Sequence, residues 1–338
     1  MASVEEQEPP TTWRERVAAR VHVAWRLYGD PRRLAAAGTK AGKLLRQQGL
    51  RRLVSTSLRK LRTPQMPVSL LASQEQAQGL LEYEHRWVLV GRGLSRLHSV
   101  SVIIPTKGNS PRLITCLDSI GKSVLPESDV DFIVINNGPP LGTLPNIRHT
   151  LSVRTESVPF NWSAYNNHAA FDARGEYLLF LNDDVTALHG GWLDAMLSEA
   201  TREGTGVVGA KLLYPNGRIQ HIGISLDAGP EGGHEHKFED RHFAGLRGQC
   251  LAPRVVDAAT GACLLTPKHL FVALQGFDAQ FAESYNDVDY CLRLRAKGYL
   301  TIVTPYAELV HAESMTRPLR VLGGERRLFR SRWLATSR

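Results

Sequence analysis

Cysteine is scarce in this sequence, with four in 338 residues. Cys116, Cys250, Cys263 and Cys291 lie far apart and form no CxxC pair. That argues against a zinc knuckle and fits reduced thiols in the cytosol. No apolar run approaches the ~20 residues that a membrane span needs. Met1–Pro10 is acidic and has no apolar core, so it does not read as a secretory leader. The chain is therefore expected in the cytoplasm, and the sequon Asn161-Trp162-Ser163 is read as chance. Neither GxGxxG nor GxxxxGK[ST] occurs, which counts against dinucleotide and P-loop chemistry. There is no internal repeat and no long low-complexity tract.

What is present is unevenly charged. The net charge of +8 comes from the ends. Residues 1–99 hold 17 Lys/Arg against 8 Asp/Glu, and residues 317–338 hold seven Arg against one Glu. The middle is thus net acidic, which argues against a nucleic-acid groove there. Residues 11–62 read as basic amphipathic helices, with Trp13, Val17, Val21, Val23, Ala24 and Leu27 at helical spacing among arginines. Such helices either lie on anionic membrane or pack on protein with their arginines in solvent. Pro64–Gln78 is rich in Pro, Ser and Gln and reads as a linker.

The body of the chain is organised around Leu178-Leu179-Phe180-Leu181-Asn182-Asp183-Asp184. A continuous apolar run reads as a strand buried on both faces of a mainly parallel sheet. Ligands of open α/β sheets bind at the carboxyl ends of such strands. Two carboxylates there repel one another unless a hard divalent cation sits between them; solvated turn acids are the plainer reading. Upstream, Val100–Pro105 is a β-branched strand, Pro111–Ile120 a helix and Asp131–Ile135 a second strand. This strand–helix–strand spacing predicts a right-handed βαβ unit. Downstream, helices are predicted over 163–173 and 191–202, and strands over 207–214 and 300–303. Residues 226–250, rich in Gly and His and without periodicity, read as a mobile loop or lid. No HxxxH falls on a clear helix there, which counts against a zinc site. Gly261 and Ala262, in a small-residue turn, would let a bulky ligand approach the backbone. Asn286-Asp287-Val288-Asp289 opens an amphipathic helix, and a capping role suits Asp289 better than Asp287.

Taken in order, these segments resemble a family-2 glycosyltransferase, especially the bacterial O-antigen and rhamnan-type enzymes. The resemblance covers roughly residues 99–316. It is carried by Ser101–Thr106, Phe132–Gly138, Leu179–Val185, Tyr214–His221, Thr260–Cys263, Gly276–Asp278, Asn286–Leu294 and His311–Ser314. It implies a GT-A fold, a Rossmann-like mainly parallel sheet with flanking helices, preceded by the basic helical region (1–63) and linker (64–98). A basic C-terminal tail (317–338) would follow.

The resemblance also implies site residues. Pro105, Thr106 and Asn136 would line the base and ribose pocket, with Asn167 and Gly261 as further donor contacts. Asp184, with Asp183 beside it, would hold Mn²⁺ or Mg²⁺ against the diphosphate. Asn182 stands where many members have the first Asp of a DxD motif. His311 would complete the metal shell, and Asp287 would be the general base. The expected reaction is inverting transfer of a hexosyl or deoxyhexosyl group, from a UDP- or dTDP-sugar by preference. The acceptor is a hydroxyl of a glycan or lipid-linked glycan in cell-surface polysaccharide synthesis. No nucleic-acid partner is expected; peripheral contact with the inner face of the cell membrane is.

Three other readings compete. A nucleotidyltransferase would need a richer Gly/basic loop than Lys107-Gly108-Asn109. A catalytically degenerate GT-A module could scaffold a glycan assembly complex through the basic ends. A nucleic-acid role for the N-terminal helices lacks any recognisable module.

Overall fold

The computed structural model of the chain describes residues 93–108, 111–157, 159–228, 231–312 and 323–334. The basic region expected over 1–63, most of the 64–98 linker and the end of the His311–Ser314 segment lie outside them.

Three apolar runs and a polar edge segment become parallel strands. β1 (Val100–Thr106), β2 (Val130–Asn136) and β4 (Tyr177–Leu181) are buried at every position, while β3 (Thr150–Thr155) lies at the edge. β1 pairs in parallel with both β2 and β4, and β2 with β3. Full burial on both faces is what continuous apolar sequence demands, because helices cover each side. α1 (Pro111–Ser123) and α3 (Trp192–Ala200) cover one face, around Leu113, Leu117, Trp192 and Met196. α2 (Trp162–Asp172), α4 (Lys268–Ala273) and α5 (Asn286–Arg295) cover the other, around Tyr165, Phe271, Phe277 and Tyr290.

The second half of the sheet is mixed. β6 (Thr205–Leu213) and β12 (Leu300–His311) are parallel neighbours, and β11 (Cys263–Pro267) runs antiparallel between β6 and β4. β10 (Arg254–Val256) closes the outer edge against β12. Short β5 (Val185–Ala187) and β7 (Ile219–His221) pair with β12 and β6, and β8 (Ile224–Ser225) pairs antiparallel with β9 (Gly233–His234) in a separate two-stranded sheet. The main order is β10-β12-β6-β11-β4-β1-β2-β3. The carboxyl ends of β1, β2, β4 and β12 carry Thr106, Asn136, Asn182 with its two acids, and His311. The sheet itself therefore delivers those residues to one edge.

Two of the expected strands run past their expected ends. β1 runs through Pro105, which pairs opposite Ile135, to Thr106. β12 continues eight residues past Val303, because its register shifts between Thr304 and Glu308 and so absorbs Pro305, Tyr306 and Ala307. A bulge is where a strand tolerates the missing N–H of proline.

Just beyond that bulge is a buried ionic cluster. Lys211 Nζ lies 2.7 Å from Glu308 Oε1, both side chains almost wholly buried, and Arg241 Nη2 lies 2.8 Å from Oε2. Burial alone would raise the Glu308 pKa, but the Lys211 and Arg241 charges hold it below the ordinary 4.5. A carboxyl with a lowered folded pKa contributes stability above its unfolded pKa and loses it as pH falls through the folded one. The melting temperature should therefore drop on acidification below about pH 4.5. Glu308→Gln should lower it at pH 7 and flatten the acid-side drop, as a pH series of thermal melts would register. An undiminished acid slope in that variant would remove Glu308 from the account.

Candidate active site

Two groups of side chains meet at the carboxyl edge. The first gathers around the acids after β4. Thr106 Oγ1 donates to Asp183 Oδ2 at 2.7 Å, so the ends of β1 and β4 are tied through a hydroxyl. Asp184 Oδ1 lies 3.0 Å from His311 Nε2, and Asn182 Nδ2 lies 3.3 Å from the same nitrogen. The other ring nitrogen is held as well: His311 Nδ1 is 2.6 Å from Gln220 Oε1, while Gln220 Nε2 donates to the His311 carbonyl at 3.3 Å. An amide oxygen on Nδ1 places a proton there and turns Nε2 towards Asp184. A lone pair and a carboxylate at that separation repel unless a proton or a cation lies between them. Burial raises the Asp184 pKa, and the hydrogen bond and charge of His311, with the charge of Arg112 on α1, outweigh that and lower it.

This donor chemistry suits a hard or borderline divalent cation, which takes carboxylate oxygen and neutral imidazole. Gln220 is the kind of outer partner that orients a ligating histidine. Among the described residues, no set of three His, Cys, Asp or Glu side chains is gathered as a metal-binding group. Water and donor phosphates would supply the remaining oxygens, as is usual for Mg²⁺.

The second group surrounds Asp287, in the first turn of α5. Its Oδ2 accepts from the Gly261 N–H at 2.7 Å and its Oδ1 from the Val288 N–H at 2.8 Å. Desolvation raises its pKa, against those backbone bonds and the Thr260 hydroxyl, which lower it. A raised carboxylate pKa is what a base working near neutral pH needs. Gly261 is required here: a Cβ would sit 2.9 Å from Trp162 Cη2 and 3.4 Å from Asp287 Cβ. The two groups are joined by the backbone, since Asn182 N–H donates to the Ala262 carbonyl at 3.0 Å.

Two expected donor contacts are occupied locally. Asn136 takes the Gly138 N–H at 3.1 Å and donates to the Gly138 and Pro139 carbonyls at 3.3 and 2.9 Å. It thereby shapes the turn that follows β2. That turn packs so closely on β1 that a Cβ on Gly138 would lie 2.0 Å from the Lys107 carbonyl oxygen. Asn167 accepts the Phe277 N–H and donates to the Phe277 carbonyl, both at 2.8 Å, bracing α2 against the turn after α4. Pro105 lies within β1, its neighbour Thr106 reaching the acids.

Gln220, Arg112 and Thr260 belong to this site and were not singled out from sequence. Gln220 lies inside the quoted segment Tyr214–His221, but nothing local announces its bond to a residue 91 positions away. The next residue, His221, is buried. Its Nε2 accepts from the Thr260 N–H at 3.4 Å, and its Nδ1 meets His234 Nδ1 at 3.0 Å. Burial, with neighbouring positive charge, drives its pKa well down and keeps it neutral. That pair fastens the His-rich segment to the turn that holds Asp287.

Residues 101–265 match the model of Glycosyl transferase family 2. The chain is 33% identical over 310 residues to the protein y4gI of Sinorhizobium fredii, covering 88% of this chain and 32% of that one. It is 34% identical over 224 residues to the O-antigen biosynthesis protein RfbC of Myxococcus xanthus, covering 64% of this chain and 18% of that one. The chain thus spans about a third and about a fifth of the length of these two relatives. A mannosyltransferase of Pyrobaculum calidifontis, solved with GDP-Man and Mn²⁺, aligns with a TM-score of 0.47 and 16% identity. That alignment covers 72% of this chain and 67% of that one.

Proposed function

We propose that this chain, whose residues 101–265 match glycosyl transferase family 2, is a GT-A enzyme of that family that transfers a sugar from a nucleotide diphosphate donor to a glycan hydroxyl. The observation that carries this reading is Asp287, desolvated yet pinned by the Gly261 N–H at the small-residue turn. The acceptor hydroxyl is a weak nucleophile at neutral pH. Asp287 takes its proton as the new bond forms, a contribution of about 10²–10⁴ in rate. Attack from the face opposite the leaving diphosphate inverts the anomeric carbon in a single step. The Trp162 ring packed on Gly261 walls this position and helps exclude water.

At the other group, Asp184 and His311 would hold Mn²⁺ or Mg²⁺, with Gln220 orienting the imidazole and Thr106 bracketing Asp183. Bound there, the cation would offset the charge growing on the departing diphosphate as a Lewis acid. Thr106 and the Asn136 turn would border the nucleotide. Pyrimidine donors, UDP- or dTDP-sugars, are the preferred class. The acceptor is a growing glycan on a lipid carrier, which suits basic chain ends beside an anionic membrane. No helix among the described residues is long and apolar enough to cross a membrane.

A second reading has two observations in its favour. The Asn136 amide is consumed by its own turn, and an amide at Asn182 replaces an acid, as in a module kept for assembly and not for chemistry. Thermal stability against UDP, dTDP, GDP and CDP, each with and without Mn²⁺, separates the two. Binding raises stability by RT ln(1 + [L]/Kd), about 2.7 kcal/mol at a hundredfold excess over Kd. A metal-dependent rise with a pyrimidine nucleotide is the expected result. A folded protein that no nucleotide stabilises would favour the scaffold.

A further inference from the structure

The helix that carries Asp287 has no side-chain cap of its own. Its entry residue, Tyr285, stands at φ +63°, a left-handed conformation that a bulky side chain holds only when its surroundings impose it. The surroundings that do so belong to the segment 323–334, made of α6 (Gly323–Phe329) and a π-helical turn, Arg330–Leu334. This segment lies beyond the residues matched by the family model.

Glu325, buried, accepts from three successive backbone N–H groups: Ala282 at 2.8 Å, Glu283 at 3.1 Å and Ser284 at 3.0 Å. Phe329, fully buried, stacks on Tyr285 with centroids 4.5 Å apart and planes 13° from parallel. Arg332 bridges two acids, with Nη1 2.7 Å from Asp289 Oδ1 and Nη2 2.8 Å from Asp278 Oδ2. Trp333 Nε1 reaches the same Asp289 oxygen at 3.0 Å, while Arg293 takes the other at 2.7 Å. Asp289 is inaccessible to solvent, so its charge must be matched inside the protein. The loop before α5 and the first turn of α5 are thus gripped from one side by one short segment, and Asp287 sits between the gripped points.

We propose that residues 323–334 form a positioning element for Asp287, with Arg332 and Glu325 as its working contacts. Transfer depends on this element and donor binding does not. The inference rests on the reading of Asp287 as the general base. Displacing a catalytic group by about 1 Å through a distant change costs about 10²-fold in rate. The donor side, by contrast, is built on the ends of β1, β4 and β12, to which this segment contributes none of the bonds just described.

The test uses the full chain with Arg332→Ala and, separately, Glu325→Gln, which keeps its size should the first variant fail to fold. Hydrogen exchange followed by mass spectrometry should show the amides of 282–291 exchanging about tenfold faster, with 177–181 unchanged. Stabilisation by UDP with Mn²⁺ should match the wild type. Turnover on the donor sugar that supports wild-type transfer should fall about 10- to 100-fold, with the donor KM within about threefold. Unchanged exchange at 282–291 in both variants would overturn the proposal, as would faster exchange with undiminished kcat. Failure of the wild type to transfer from any nucleotide sugar would defeat the reading of Asp287 as a base. The exchange measurement would then judge the grip on its own.

Discussion

Asp287→Asn is expected to lower transfer by about 10²–10⁴-fold while leaving nucleotide-dependent stabilisation intact. The carboxylate has two lines of approach already filled, one oxygen by the Gly261 N–H and the other by the Val288 N–H. The amide of asparagine can still receive one backbone donor, so the turn and the helix start should persist. It cannot take a proton at neutral pH. Stability gives an internal control. A carboxyl whose folded pKa is raised is one whose charge the protein holds less well than water does, so its ionisation costs stability as pH rises. Replacing it with a neutral side chain removes that cost, and the melting temperature should not fall in step with activity. The pH profile adds a second check. The base works when deprotonated, so kcat/KM should fall on the acid side through a pKa above the ordinary 3.8, and Asp287→Asn should lose that limb. Near-normal turnover in a variant that still binds donor would end the assignment.

Legibility from sequence followed the range of the interactions. Strands β1, β2 and β4 are unbroken apolar runs, and their burial on both faces follows from that alone. The acids after β4 and the start of α5 sat in quotable motifs. What could not be read depends on partners far along the chain. β3 is polar and largely exposed, so it lacks the apolar run that marked its neighbours. β12 seemed to stop before Pro305, and only pairing with β6 across a bulge carries it on to His311. Asp289 read as a helix cap, yet it is buried and bound to Arg293, Arg332 and Trp333, two of them more than forty residues away. Asn167 was assigned to the donor from resemblance, and its amide instead closes on the Phe277 backbone 110 positions on. Local composition specifies which segments are buried; it does not specify which polar side chain finds which partner.

Asp184→Ala should abolish the extra stabilisation that Mn²⁺ lends to a bound nucleotide, leaving only the metal-free shift. The two adjacent acids are not equivalent. Asp183 is engaged by the Thr106 hydroxyl, which makes it a bracket between β1 and β4. Asp184 is largely buried and faces Nε2 of the imidazole that Gln220 orients. Loss of a charge-offsetting cation removes several kcal/mol from the transition state. At about 1.4 kcal/mol per tenfold, transfer should therefore fall by about 10²-fold or more. The absolute melting temperature is the wrong readout, because the substitution also strips His311 of its ionic partner and so lowers the stability of the free protein. The informative quantity is the difference between nucleotide with and without metal, measured within each variant. Asp183→Asn keeps an acceptor for Thr106 and should retain that difference. If Asp184→Ala keeps it and Asp183→Asn loses it, the metal belongs to Asp183. Asp184 would then serve only to anchor His311 and the end of β12, whose next residue, Ala312, donates its N–H to the Asp184 carbonyl at 3.0 Å.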